Sequence, residues 1–324
     1  MFRVGLNPYG ICTILGIKGK ATAPRDVIWY LGLAESFQAQ SIEFHFHHLA
    51  ASSPQQLVEI KARLQSSAMQ PIISGPWPLD RISEAIPLAQ TLGVRTVRTH
   101  LSAILSGGRA ECRDAWKTIV ENIRAVIPIV GRQFSDAGMI LAIENHQDFG
   151  SEELLEFCDL GGDSVGICLD TGNPLAVAET PLSFARTVAP RVQHVHLKDY
   201  RAQMTSDGYR LVRCPIGDGA IPLVEIEAIV SACTPDVTAT LEPGALQARH
   251  IKLLTEEWWK GYQPKSQEEI DDCLQAASYR ALSPDEDYRT PAELEEGPES
   301  VCHFEMEQII NSIQNMKSIG WLPL

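Results

Sequence analysis

Eight short, β-branched apolar runs recur between residues 2 and 243, and segments with helical periodicity separate them. The runs cover 2–7, 41–46, 71–77, 96–102, 139–146, 164–170, 192–199 and 237–243. Between them lie amphipathic stretches such as "SPQQLVEIKARLQSSAM", "AECRDAWKTIVENIRAVIPIVGRQF" and "IPLVEIEAIVSAC", with Ser53 placed to cap the first. Eight strands alternating with helices predict an α/β fold, a (β/α)8 barrel. A doubly wound sheet is the rival, but no G-x-G-x-x-G follows the first strand.

From about residue 263 the pattern changes. Two helical pieces, "SQEEIDDCLQAASYR" and "FEMEQIINSIQNMKSIGWL", flank a Pro- and Glu-rich connection. The segment carries 13 acidic residues against four basic ones, and so supplies −9 of the net −14. Met306, Ile309, Ile310, Ile313 and Met316 form an apolar stripe on the second helix. The expected division is a barrel at 1–262 and an acidic helical C-terminal extension at 263–324. The stripe docks either on its own barrel or on another subunit.

Strand side chains alternate between faces, and barrel chemistry gathers at the carboxyl ends of the strands. That rule puts Glu43, His45 and His47 inward on the second strand and His100 on the fourth. Glu144 and His146 follow on the fifth, Asp170 on the sixth, His194, His196 and Lys198 on the seventh, and Glu242 on the eighth. A single acid at a strand end is usually a helix cap. Four successive strands ending in Glu, Asp, His and Glu form a self-repelling set unless a cation joins them. Three carboxylates with one imidazole suit one hard divalent ion with open positions, Mn²⁺ first and Mg²⁺ or Co²⁺ next.

Charge and composition narrow the partners. A net charge of −14 argues against nucleic acid and anionic membrane, and no apolar run approaches a bilayer span. The start "MFRVGLNPYG" has no basic region followed by a long apolar one, and the eight cysteines contain no C-x-x-C. A cytoplasmic location with free buried thiols is expected.

The strand ends "AIENHQDF", "GICLDTGN", "HVHLKD" and "TLEPG", with "IGDGAI" between the last two, resemble the xylose isomerase-like sugar isomerase/epimerase superfamily. The resemblance covers roughly residues 1–260. It implies that Glu144, Asp170, His196 and Glu242 bind one divalent metal. In the ketose 3-epimerase branch a His lies three positions beyond the Asp and an Arg six beyond the metal-binding His. Here Asn173 and Ala202 stand there, with Arg201 beside the latter, which argues against simple ketose epimerisation. The endonuclease branch needs further histidines, including one where Asn173 sits. "GLNPYG" and "EEWWKGY" resemble a branch that holds 3-oxo-isoapionate decarboxylases and the large subunits of 3-oxo-C-glycoside-cleaving enzymes.

These features imply a metal-dependent enzyme that stabilises an enediolate of a keto-sugar or 3-oxo sugar acid. A lyase, in particular a carboxy-lyase, is the first expectation. A sugar isomerase or epimerase, a 3-oxo-C-glycoside-cleaving subunit and a non-catalytic partner subunit are the alternatives. His146, Glu144 and Glu242 are the expected catalytic residues, although His146 serves equally well as an orienting neighbour of Glu144. His45, His47, His100, Asn173 and Lys198 are the expected substrate contacts, with His48 turned away from the other two histidines of its run. Lys198 has pairing with a nearby acid as its other fate. The glycines of "PIGDGAIPL" either cradle a phosphate or simply form a turn, and no second basic cluster is visible. A homodimer or a small second subunit completes the set of expected partners.

Overall fold

The structure is a computed structural model and describes residues 1–19, 21–106, 108–244 and 247–324. Its strands are β1 (Arg3–Leu6), β2 (Ser41–His45), β3 (Gln70–Ser74), β4 (Thr96–His100), β5 (Ile140–Glu144), β6 (Val165–Asp170), β7 (Val192–Leu197), β8 (Tyr200–Thr205), β9 (Gly208–Arg213), β10 (Thr238–Leu241) and β11 (Arg249–Ile251). Eight of them close into a parallel barrel in the order β1-β10-β7-β6-β5-β4-β3-β2. These are the eight runs read from the sequence. Each ends earlier than its run, except β6.

The helices are α1 (Val27–Ser36), α2 (Phe46–Ala50), α3 (Pro54–Ser67), α4 (Ile86–Leu92), α5 (Arg113–Asp136), α6 (Ser151–Gly161), α7 (Pro181–Val188), α8 (Leu223–Cys233), α9 (Glu256–Trp259), α10 (Gln267–Ser278) and α11 (Pro298–Ser318). Ser53 caps α3 as expected, in a reciprocal box with Gln56 and with Pro54 at the first helical position. The main core lies between barrel and helices, where Ile42, Phe44, Ile167, Leu169, Val195 and Leu197 are fully or almost fully buried. The opposite faces of the same strands point to the barrel axis, and so carry the polar groups.

A second sheet was not read from the sequence. β8, β9 and β11 pair antiparallel in the order β11-β9-β8 and stand beside the carboxyl end of β7. The hairpin turns at Ser206 and Asp207 before Gly208, the kind of Asp-Gly turn that marks hairpins in a sequence.

The acidic extension packs on its own barrel. Ile309, Ile313 and Met316 are buried, while Ile310 is 38% exposed. Trp321 meets Phe2 edge-on at 5.3 Å, and the Ser312 hydroxyl accepts the Ile216 N–H at 2.9 Å. Glu305 is fully buried and accepts the N–H groups of Thr13 (3.0 Å) and Ile14 (3.1 Å) as well as the Cys12 thiol (3.4 Å). Burial raises its pKa although these donors oppose the rise. Glu305→Ala leaves two buried backbone donors unpaired, each costing about 1–3 kcal/mol. It is expected to lower stability by about 2–5 kcal/mol in a urea melt, with Glu305→Gln losing less.

Candidate metal centre

β5, β6, β7 and β10 are consecutive around the barrel, so their carboxyl ends meet on one side. There Glu144, Asp170, His196 and Glu242 are all buried, and one potential ligand atom from each lies within 4.8 Å of the others. His196 Nδ1 is 3.0 Å from Glu242 Oε2 and 3.4 Å from Glu144 Oε1. None of these three atoms has a hydrogen-bond partner. Buried polar atoms are rarely left so.

The ring of His196 is fixed from behind. Its Nε2 is 2.7 Å from Glu43 Oε2, which directs Nδ1 at the carboxylates. Glu43 also accepts the Ser74 hydroxyl (2.7 Å) and faces His194 Nε2 (3.1 Å). Burial would raise the Glu43 pKa, yet His196 and His194 hold it well below the carboxylate range. Burial disfavours the imidazolium of His196, but Cys168, Glu43 and Glu242 outweigh this and raise its pKa well above the usual value. The pocket attracts positive charge.

Two cations sit among the acids. The Arg98 guanidinium donates to Glu144 through Nη2 and to Ser74 Oγ through Nη1 (3.2 Å). Lys198 Nζ is 2.5 Å from Asp170 Oδ2 and 2.9 Å from Glu242 Oε1. Burial alone would raise the Glu242 pKa; Lys198, His196 and Arg213 hold it well below the carboxylate range. Asp170 Oδ1 accepts the N–H groups of Gly172 and Asn173, both at 3.0 Å. Four buried carboxylates (Glu43, Glu144, Asp170, Glu242) thus face Arg98 and Lys198, with Arg213 as a third cation 3.6 Å from Glu242 Oε1. The donor set of oxygens with one imidazole suits a divalent ion.

The other predicted residues divide. His146 is half-buried with its ring 4.8 Å from His100, and its Nδ1 has no hydrogen-bond partner. Burial of the ring first, then His100, Arg98 and Lys198, push its pKa well down. His100 stacks on Trp77 at 5.6 Å and is lowered to about 3 by burial and Arg98. His45 packs edge-on to Tyr9 at 5.8 Å with its Nδ1 partnerless, lowered to about 4 by burial, His48 and His47.

Three expectations are corrected. β2 ends at His45 and α2 begins at Phe46, so alternation stops and His47 is exposed rather than directed inward. For the same reason His48 does not turn away: its ring is 5.3 Å from that of His45. Asn173 is 1% exposed, and its amide is taken up by the Asn145 carbonyl (2.9 Å) and Gln147 Nε2 (3.1 Å), so it holds the loop rather than facing a substrate. Of the two readings of the glycine loop, the turn holds, because the N–H groups of Gly217, Gly219 and Ile221 donate to the Asp199 carboxylate at 2.9–3.0 Å. Lys198 takes the acid-pairing fate.

Arg98, Ser74 and Asn145 were missed. Arg98 was legible by alternation from His100. Asn145 clamps the Asp170 backbone, accepting its N–H at 2.7 Å and donating to its carbonyl at 2.9 Å. Nothing in the sequence signals that role.

Residues 32–257, more than half of the chain, match the family described as xylose isomerase-like TIM barrel. The chain is 23% identical over 212 residues to a 3-oxo-isoapionate decarboxylase of Pectobacterium atrosepticum, spanning 64% of this chain and 68% of that protein. A D-tagatose 3-epimerase-like protein of known structure superposes with a TM-score of 0.54 at 16% identity, over 85% of this chain and 98% of that one. A xylose isomerase-like TIM barrel protein from Mycobacterium smegmatis, solved in complex with magnesium, gives 0.54 at 16% identity over 87% and 98%. The two structural likenesses establish the barrel. Among the described residues, no helix is long and apolar enough to cross a membrane.

Proposed function

The chain belongs to the xylose isomerase-like TIM barrel family, and from that premise we propose that it is a divalent-metal-dependent enzyme decarboxylating a 3-oxo sugar acid. One observation carries the metal dependence: Glu144, Glu242 and His196 gather buried ligand atoms that make no hydrogen bond, within 4.8 Å of one another and of a ligand atom of Asp170. Glu144, Asp170, His196 and Glu242 are the proposed ligands. A divalent ion, Mn²⁺ first, would supply Lewis acidity there for a carbonyl and its neighbouring hydroxyl. The magnesium complex of the Mycobacterium smegmatis protein supports a hard divalent ion, and the Pectobacterium relative's name supports loss of carbon dioxide.

The chain's own residues then have distinct tasks. Glu43 keeps His196 in the tautomer that turns Nδ1 inward. Arg98 and Lys198 hold Glu144, Asp170 and Glu242 in place. When carbon dioxide leaves, the enediolate must gain a proton at the carbon that carried it. Water supplies that proton, and His146, with no hydrogen bond on Nδ1, is placed to relay it. His45 and His100 line the approach.

Epimerisation or isomerisation is the second reading, favoured by the likeness to the D-tagatose 3-epimerase-like fold and by two carboxylates converging on one site. Metal analysis of purified wild type and Glu144→Gln, with mass spectrometry after incubation with 3-oxo sugar acids and ketoses, tests both. Decarboxylation predicts one bound ion per wild-type chain and carbon dioxide from wild type only. Mass-neutral conversion of a ketose would move the protein to the isomerases, and a metal-free active chain would sink both readings.

A further inference from the structure

The mouth of the barrel carries a second set of charges that the proposed chemistry leaves unused. Arg213, on β9, reaches across Gly244. A Cβ on that glycine would sit 2.9 Å from Arg213 Nη1 and 3.0 Å from the Tyr9 carbonyl, and its φ is +63°, so glycine alone leaves the guanidinium its place. Arg213 Nη1 donates to the Pro243 carbonyl at 3.0 Å and lies 3.6 Å from Glu242 Oε1. Arg249 comes from β11, where it stands opposite Leu211 in the antiparallel register. Leu211 and Arg213 share a face of β9, so the two arginines occupy diagonal positions on one face of the small sheet. Lys18 lies at the rim, its Nζ 5.7 Å from the centre of the Tyr9 ring, which also has Arg98 at 5.5 Å.

Cations gathered in this way repel one another, and the acids nearby are committed elsewhere. Glu242 is held by Lys198 and His196. Glu293 accepts the N–H groups of Ala248 (3.1 Å) and Thr290 (3.0 Å). Among the described residues the side chains of Lys18 and Arg249 have neither an ion pair nor a hydrogen bond. Burial lowers the pKa of both, and Arg213 adds to the lowering of each. Among the described residues Lys18 and Arg249 therefore stand near Arg213 without a counter-ion, and Arg213 shares Glu242 with Lys198.

We propose that Lys18, Arg213 and Arg249 form an anion subsite that grips a carboxylate or phosphate on the sugar, on a group that does not itself meet the metal. This deepens the proposed function and rests on it for the word sugar. A forked guanidinium and an ammonium supply donors that match the oxygens of either group. The group held there is a non-reacting one, because cations that stabilise a carboxylate also oppose its loss as carbon dioxide.

The test is calorimetric titration of inorganic phosphate and of acetate into three proteins: wild type, Lys18→Met/Arg249→Met, and Glu144→Gln. Wild type and Glu144→Gln are expected to bind at least one of the two anions at a single saturable site, with the double variant at least tenfold weaker. The better-bound anion identifies the class of group. The thermal midpoint of the double variant is expected to be unchanged or raised, because repulsion has been relieved; should it not fold, Lys18→Met alone carries the comparison. No saturable binding to wild type, or equal binding to the double variant, overturns the subsite. So does binding lost in Glu144→Gln and kept in the double variant, which would put the anion at the metal instead. Anion binding that follows this pattern in a wild-type chain that turns over without bound metal would sink the proposed function and leave the subsite standing.

Discussion

Glu144→Gln is expected to reduce bound divalent metal from one ion per chain to a trace and to abolish turnover, while lowering stability by about 3–5 kcal/mol. Two separate effects are involved. The substitution removes a carboxylate oxygen that has no other partner in the barrel mouth. It also strips the countercharge from Arg98, whose side chain is only 5% exposed. The second effect is large because a buried guanidinium without its carboxylate keeps its full desolvation cost. Arg98→Met in the Glu144→Gln background removes the stranded charge, so the double variant should regain most of the lost stability in a denaturant melt. It should regain none of the metal, read by elemental analysis. Stability and metal content that recovered together would show that Glu144 serves the fold alone.

Glu43→Gln is expected to weaken divalent-metal affinity by about 10–100-fold, as loss of an orienting carboxylate behind a ligating histidine does. The shape is kept, and an amide oxygen can still accept from His196 Nε2. What is lost is the negative charge that keeps the imidazole polarised and the Nε2 proton in place, 2.7 Å away. Glu43 also faces His194 Nε2 at 3.1 Å and accepts the Ser74 hydroxyl, which in turn accepts from Arg98. The change therefore reaches both the histidine and the arginine that frame the pocket. Competition with a metal-binding dye measures the affinity, and chelator-treated protein measured in parallel gives the unloaded stability. An affinity equal to wild type would mean that packing, not Glu43, sets the ring of His196.

Much of this molecule was legible from residue order. Apolar runs of period two, separated by segments of period near 3.6, leave a barrel as the arrangement that buries both patterns. Alternation then decides which side chains point to the axis: Glu144, Asp170, His196 and Glu242 follow from counting in twos along four strands. The same counting failed at His47, because period two holds only while the chain remains a strand. Nothing local in "FHFHH" says that β2 gives way to a helix at Phe46. The hairpin of β8 and β9 was missed for a different reason. Its turn signal was present, but it lay between two stronger strand patterns and had no role in an eight-strand count.

The sequence by itself determined the barrel and the four polar strand ends, because both depend on the spacing of residues within single elements. Tertiary structure alone decided how charges share partners. Arg98 joins Glu144 across adjacent strands, and Lys198 joins Asp170 and Glu242 across three. Lys18 reaches the Tyr9 ring, and an added antiparallel sheet brings Arg213 and Arg249, remote in the chain, onto one face. Coulomb interactions depend on distance through space and on burial, and neither is encoded in the separation along the chain.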